Sequence, residues 1–174
     1  EGEAEWQTEL VEMLRCDRME VLDDAVGDDT VGRLVDSSLN MLKDDTTVAI
    51  FTALSVLPED VLVQLPVAQL ICSADPGVVA KGKVTALSMR RTLTALLNRN
   101  LLQGSITGGV QMHDIVRDFM RSKFKGDDEI RAKQRLVIQG IVASTPEQDW
   151  QQNTPLGQYV RQSLRQHLIE AMPS

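Results

Sequence analysis

The sequence predicts a mainly α-helical protein, built around a winged helix-turn-helix with a short two-stranded β-wing and flanked by further helical segments. Aromatic residues make up only 3% of the 174 residues, whereas 43% of the chain is hydrophobic. The core must therefore consist of Leu, Val, Ile, Met and Ala, which favours helices over a large sheet. In addition, the order helix, helix, short extended piece, helix and two strands matches a winged helix over roughly residues 30–125.

The first part of the chain is predicted to contain three helices. Glu5–Leu14 places its apolar residues on one helical face, and an acidic stretch after it loosens at Gly27. Val31–Leu42 is the second predicted helix. Asp44-Asp45 offers an N-cap for the third, Thr46–Leu54, whose apolar residues wrap widely and predict deep burial.

The middle of the chain combines a brief extended segment with two more helices. Val61, Val63 and Leu65 predict a brief extended segment, and Pro66 suits the first turn of a short helix over Val67–Cys72. The Asp-Pro-Gly at 75–77 predicts a turn. A long helix follows over Lys83–Asn98. Its main buried residues are expected to be Leu87, Leu93, Leu96 and Leu97.

The predicted wing consists of strands Leu101–Ile106 and Val110–Met112 around Thr-Gly-Gly, because glycine tolerates the positive φ of tight hairpins. Further helices are predicted at Asp114–Lys125, Glu129–Val142 and Leu156–Met172, with Gly-Asp-Asp at 126–128 as a linker. We therefore expect the end of a helical subdomain at 1–29, a winged-helix domain at 30–125 and the start of a second helical domain at 126–174.

Motifs for self-sufficient catalysis are absent from the sequence: it contains no GxxxxGK[ST] loop, no GxGxxG after a strand, no serine nucleophile elbow and no HExxH. We expect no enzyme activity from this chain. The two histidines lie far apart and the two cysteines, Cys16 and Cys72, lie in separate segments, so no metal site is expected. Without an apolar run of about 20 residues or a secretory leader, we expect a cytoplasmic location and no membrane insertion. The chain starts at Glu1 rather than Met, so any targeting signal could lie outside it.

The charge distribution argues against a dedicated nucleic-acid binder. Residues 1–45 carry a net charge of −10 and residues 46–174 carry +3, and an acidic front repels phosphate backbones. In the DNA-binding alternative, the helix Lys83–Asn98 would be the recognition helix, and Lys83, Arg90, Arg91 and Arg99 would face phosphates. The wing segment Gln103–Gln111 has no Lys or Arg. A third alternative is a protein-interaction scaffold whose acidic N-terminal helices dock a partner.

His113 is the candidate binding residue, since it stands where the second predicted strand meets a new helix. An imidazole can donate a hydrogen bond to a phosphate oxygen. The alternative is a histidine packed at a strand end, with Met112 as a core residue and Asp114 as a helix cap.

Several segments resemble the NB-ARC family of signal-transducing ATPases (STAND NTPases), which includes plant resistance proteins and the apoptotic protease-activating factor. VQMHDIVRDFM resembles that family's MHD motif. VAIFTALSVLPEDVLVQLPVAQLIC and LTALLNRNLLQ resemble the segments upstream of it. Trp6 with Leu10 and Leu14 resembles the end of the preceding helical subdomain, and YVRQSLRQHLIEA resembles the start of the following one.

The resemblance implies that the winged helix closes over a bound ADP and that exchange for ATP frees it and permits oligomerisation. His113 would contact the β-phosphate, Asp114 would cap the helix and Met112 would anchor the strand in the core. The P-loop and the GLPL-like segment are missing, so ADP or ATP would bind to the intact parent protein, whose nucleotide-binding domain would be the partner. One charged hydrogen bond contributes about 1.5–3 kcal/mol, so this chain alone should bind no nucleotide measurably. The implied function is a non-catalytic regulatory region of a molecular switch in signalling of the apoptosis or innate-immunity type.

Overall fold

A computed structural model describes residues 28–42, 44–144 and 150–173 of the chain. Over these residues the protein is mainly helical with a two-stranded antiparallel sheet, which confirms the predicted class at that level. The predicted helix Glu5–Leu14 and Cys16 lie outside the described residues. In chain order the elements are α1 (Asp28–Asn40), α2 (Asp45–Leu54), α3 (Leu65–Ala74), α4 (Pro76–Val79), α5 (Ala86–Asn98), β1 (Gln103–Ser105), β2 (Gly109–Gln111), α6 (Asp114–Ser122), α7 (Asp127–Ser144) and α8 (Pro155–Ala171).

Helix α2 contributes fully buried side chains to the core and begins at the predicted N-cap. The side chain of Asp44 accepts a hydrogen bond from Thr46 N at 3.1 Å and another from the Thr47 hydroxyl at 2.6 Å. The Thr47 hydroxyl, more than the backbone amides, holds the pKa of Asp44 below its usual range. Phe51 and Leu54 are fully buried, as the wide apolar face of this helix predicts.

The expected turn at 75–77 is instead the start of α4, so that prediction is wrong. Asp75 occupies the N-cap, where its Oδ1 accepts a hydrogen bond from Gly77 N at 2.8 Å, and Pro76 fits the first helical position. The other carboxylate oxygen of Asp75 lies 2.6 Å from Nζ of Lys133 in α7. One aspartate therefore ends α3, starts α4 and binds α7.

Helix α5 begins at Ala86 rather than Lys83, because Thr85 and Ser88 form a capping box there. The prediction that Leu87 is buried is wrong: the residue is 59% exposed. Met89 takes its place on the face that also buries Leu93 and Leu96. Leu87 lies two residues before Met89, which at 3.6 residues per turn puts the two side chains on nearly opposite faces.

The wing is shorter than predicted because only three residues of each strand pair. Gln103 lies opposite Gln111, and the pairing continues to Ser105 and Gly109. Val63, from the predicted extended segment, bridges to Val110 through two backbone hydrogen bonds of 2.8 and 2.9 Å. That bridge attaches the hairpin to the body of the protein.

Gly104 is expected to tolerate alanine less well than Gly126, although their φ angles are nearly equal at +101° and +104°. A Cβ on Gly104 would collide with the carbonyl oxygen of Gly109 across the hairpin, whereas one on Gly126 would meet nothing within 4 Å. Gly126→Ala should lower the free energy of unfolding by about 1 kcal/mol through backbone strain, and Gly104→Ala by about 2 kcal/mol. Chemical denaturation of both variants measures the difference, and equal losses would contradict the collision.

The C-terminal helices share the core with the earlier ones. Asp127 and Asp128 form the first turn of α7, so the predicted linker 126–128 is wrong for those two residues; carboxylates suit that position because a helix N-terminus is electropositive. Gly140 lets α7 approach α3 closely, since a Cβ there would lie 2.9 Å from that of Ala74. Buried residues from before and after position 126 belong to one hydrophobic cluster. The division of the chain into domains stays a prediction. Among the described residues no helix is long and apolar enough to cross a membrane.

Candidate functional site

The three predicted site residues lie together at the corner between β2 and α6. Met112 follows the strand directly and is buried. His113 occupies the N-cap of α6 in an extended conformation, and its side chain makes no capping hydrogen bond. The prediction that Asp114 occupies the N-cap is therefore wrong by one residue, because the chain is already helical there. Its Oδ1 nevertheless accepts a hydrogen bond from Ile115 N at 2.8 Å, within the first turn.

The imidazole of His113 is partly open to solvent, with 24% of the side chain exposed. Its Nδ1 lies beside Oδ1 of Asp114 but without hydrogen-bond geometry, so this buried nitrogen has no hydrogen-bond partner. The two atoms can lie close together without a hydrogen bond because a hydrogen bond also requires alignment. The neighbour that the ring meets at Nδ1 is thus Asp114, and the exposed part of the ring faces solvent.

A small pocket of about 130 Å³ opens in front of this corner. It is lined by Glu59 and Asp60 from the segment before α3, by Gln103 and Gln111 of the wing, and by Met112, His113 and Asp114 of the corner. Small-molecule sites usually have roughly 300 Å³ or more. The pocket can therefore hold one group, such as a phosphate, but not a whole nucleotide.

The residues of the DNA-binding alternative lie mainly on the outer side of α5. Arg90 and Arg91 are exposed together with Lys83, which precedes the helix, while Arg99 is half-buried. The exposed Leu87 lies among them. An apolar side chain in this position weakens the case for a phosphate-binding face.

A buried polar cluster, which the sequence did not predict as a site, lies where α8 meets the rest of the protein. His167 is fully buried, with Nε2 2.6 Å from the Tyr159 hydroxyl and Nδ1 against Oε1 of Gln134. The amide nitrogen of Gln134 donates to the carbonyl of Val56 at 2.9 Å and to Glu170 at 2.5 Å. That amide has no hydrogen left for His167, so its oxygen must be the acceptor there.

The tautomer of His167 follows from this chain of donors. Nδ1 carries the hydrogen and donates to Gln134, which leaves Nε2 of the neutral ring to accept from Tyr159. Burial lowers the pKa of His167 to about 4 and raises that of Tyr159, so both groups stay in the forms that the network requires. Arg121 extends the network, since it donates to Glu170 at 3.0 Å and to the carbonyl of Ser55 at 2.9 Å.

One signal for this cluster was present in the sequence. Tyr159, Ser163, His167 and Glu170 are spaced by four, four and three residues, which puts polar groups on one helical stripe. Nothing local identified Gln134 as their partner.

The described residues contain no group of three or more His, Cys, Asp or Glu side chains that could hold a metal ion. Cys72 is buried, and burial raises the pKa of its thiol. A thiol in that state is a poor nucleophile.

No protein-family model, no curated protein and no solved structure matches this chain. The NB-ARC resemblance therefore stays a prediction from the residues that carry it.

Proposed function

We propose that this chain is a non-catalytic regulatory region of an ADP/ATP-dependent signalling switch. In this proposal residues 30–125 form a winged helix, which presents His113 to the β-phosphate of an ADP held by another domain of the intact protein. The order α2, Val63, α3, α5, β1 and β2 supports the winged helix, as does the bridge from Val63 to the hairpin.

The observation that carries the proposal is the state of the His113 side chain. The buried Nδ1 of the imidazole faces Asp114, 24% of the side chain is exposed, and the pocket beside it has room for a single small group. The exposed part of the ring can meet a ligand, and a phosphate oxygen is an acceptor for an imidazole N–H.

The charges of the pocket support a sensor rather than an independent binding site. Glu59, Asp60 and Asp114 place three carboxylates around one histidine, and like charges disfavour a free anion there. The affinity for ADP must therefore come from cations and backbone amides of the nucleotide-binding domain. His113 then reports whether that domain is closed against this one, and its loss permits opening and oligomerisation.

His113→Ala in the intact protein is expected to weaken ADP retention and to raise basal activity. Loss of one charge-assisted hydrogen bond of about 1.5–3 kcal/mol corresponds to roughly 10- to 150-fold weaker binding. The ADP content of the purified protein, measured by chromatography after denaturation, checks this. Thr107→Ala, at the exposed tip of the hairpin, should leave the content unchanged. Equal ADP content in His113→Ala and the native protein would contradict the proposal.

The exposed Arg90 and Arg91 on α5 favour DNA binding as the second candidate function. A gel shift with duplex DNA at low salt, comparing the native chain with Arg90→Ala/Arg91→Ala, separates the two candidates. Binding that the double substitution abolishes would favour the second candidate, and absence of binding would remove it.

A further inference from the structure

Arg117 is a buried cation close to the His113 pocket. Its side chain is only 7% exposed, although it carries a charge. It forms an ion pair with Glu59, and its Nη2 and Nε donate to Asp118 at 2.9 and 3.2 Å. Burial works against the charge, but these two carboxylates outweigh it and keep the pKa of Arg117 above its ordinary value. The residue is a permanent cation held in one place.

Arg117 contacts both of the chain segments that carry the charged residues of the pocket. Its backbone N–H donates to the carbonyl oxygen of His113 at 2.8 Å, as part of the first turn of α6. Its guanidinium binds Glu59, which lines the same pocket and precedes Asp60 in the chain. Asp60 adopts a φ of +55°, a conformation that a non-glycine residue rarely takes. Arg117 supplies this turn with a side-chain contact from α6, through the neighbouring Glu59.

The same ion pair changes the electrostatics that a ligand would meet. Of the three carboxylates in the pocket, Glu59 is the one to which the described part of the chain supplies a guanidinium partner, so its negative charge is compensated. Without Arg117, the Glu59 side chain, which is 59% exposed, would be free to turn towards His113. Both effects act on His113 through another residue and not through contact with a ligand.

We propose that Arg117 is a positioning residue of the His113 site: it holds Glu59 against α6, fixes the 59–60 side of the pocket and keeps that carboxylate away from the bound group. The proposal deepens the function proposed above and rests on it for the identity of the ligand, a phosphate. The positioning role itself concerns only the accessibility of the His113 ring, which can be measured without nucleotide.

The test is the rate at which diethyl pyrocarbonate modifies His113 in the 174-residue chain, followed by peptide mapping. Buried His167 is an internal reference that should stay unmodified while the protein is folded. Arg117→Met is expected to raise the rate of His113 modification by about fivefold, because loss of an ion pair shifts the local opening equilibrium towards the open state by about that factor. Arg117→Lys should restore part of the native rate, because lysine keeps the charge without the planar fork. Arg91→Met, an exposed arginine far from the pocket in sequence, should leave the rate unchanged.

If Arg117→Met does not fold, Glu59→Gln tests the same proposal. Glu59 is exposed enough for a glutamine to be tolerated, and the substitution removes the same ion pair from the other side. It should change the His113 rate in the direction of Arg117→Met, and native rates in both variants would overturn the proposal.

ADP content of the intact protein separates this proposal from the function on which it rests. Arg117→Met should lower ADP content with His113 still present. Suppose that Arg117→Met alters the reactivity of His113, but that the ADP content is normal in both His113→Ala and Arg117→Met. This result would contradict the phosphate-sensing function and leave the positioning role in place. Reduced ADP content in His113→Ala alone, with native reactivity in Arg117→Met, would contradict only the positioning role.

Discussion

Replacement of Gln134 by leucine is expected to lower the free energy of unfolding by about 3 kcal/mol, a large effect for a substitution that adds apolar surface to a buried position. Leucine keeps the approximate volume of glutamine but accepts and donates nothing. The Nδ1–H of His167 would then be a buried donor without an acceptor. Val56 and Glu170 would each lose one hydrogen bond, although Arg121 would still donate to both.

Gln139→Leu is the matched control, because Gln139 lies on the exposed side of the same helix, α7. Helix propensities of the two residues are similar, so this substitution should change stability by less than about 0.5 kcal/mol. Denaturant unfolding at neutral pH compares the two variants. If Gln134→Leu were as stable as Gln139→Leu, the hydrogen bonds of the cluster would contribute nothing measurable.

The protein is expected to lose stability in acid through His167. Burial lowers the pKa of this imidazole from an ordinary 6.5 to about 4; Glu170 partly opposes the shift and Arg121 reinforces it. The unfolded chain therefore takes up the proton first as the pH falls, and the free energy of unfolding decreases between pH 6.5 and about 4. For this group there is no further loss below that pH. The full effect is on the order of 3 kcal/mol.

Substitution of His167 isolates this contribution from that of the carboxylates. His167→Gln removes the titrating group, so the decrease in stability between pH 6.5 and 4 should be smaller by the stated amount, even though the variant starts from a lower stability at pH 7. Gln139→Leu leaves His167 in place and should retain the native pH dependence. Equal pH dependence of His167→Gln and the native protein would show that another group causes the acid sensitivity.

The elements of this fold follow mainly from local chemistry. Asp44 caps α2 because a carboxylate accepts from free N–H groups at a helix start, and Pro66 fits the first turn of α3 because its fixed φ is helical. The predicted helix boundaries were less accurate where the N-cap residue was not recognised in the sequence. The Thr85–Ser88 capping box delays α5, and Asp75 starts a one-turn helix where a turn was expected.

The candidate site was predictable in part for the same reason. A strand that ends directly before a helix places three consecutive residues at one corner, so the location of Met112, His113 and Asp114 needed only the local pattern. The missing hydrogen bond of His113, the acidic side of its pocket and the role of Glu59 were not predictable, because Glu59 lies 58 residues from its partner Arg117.

The sequence by itself determined the mainly helical class, the position of the hairpin and the residues at the corner, because periodicity, caps and glycines act over a few residues. Only the tertiary structure decided which polar side chains meet. Gln134 and His167 are 33 residues apart and lie on different helices. Their hydrogen bond exists because α7 and α8 pack with these two faces together, and the need to satisfy buried polar groups then selects the tautomer of the histidine.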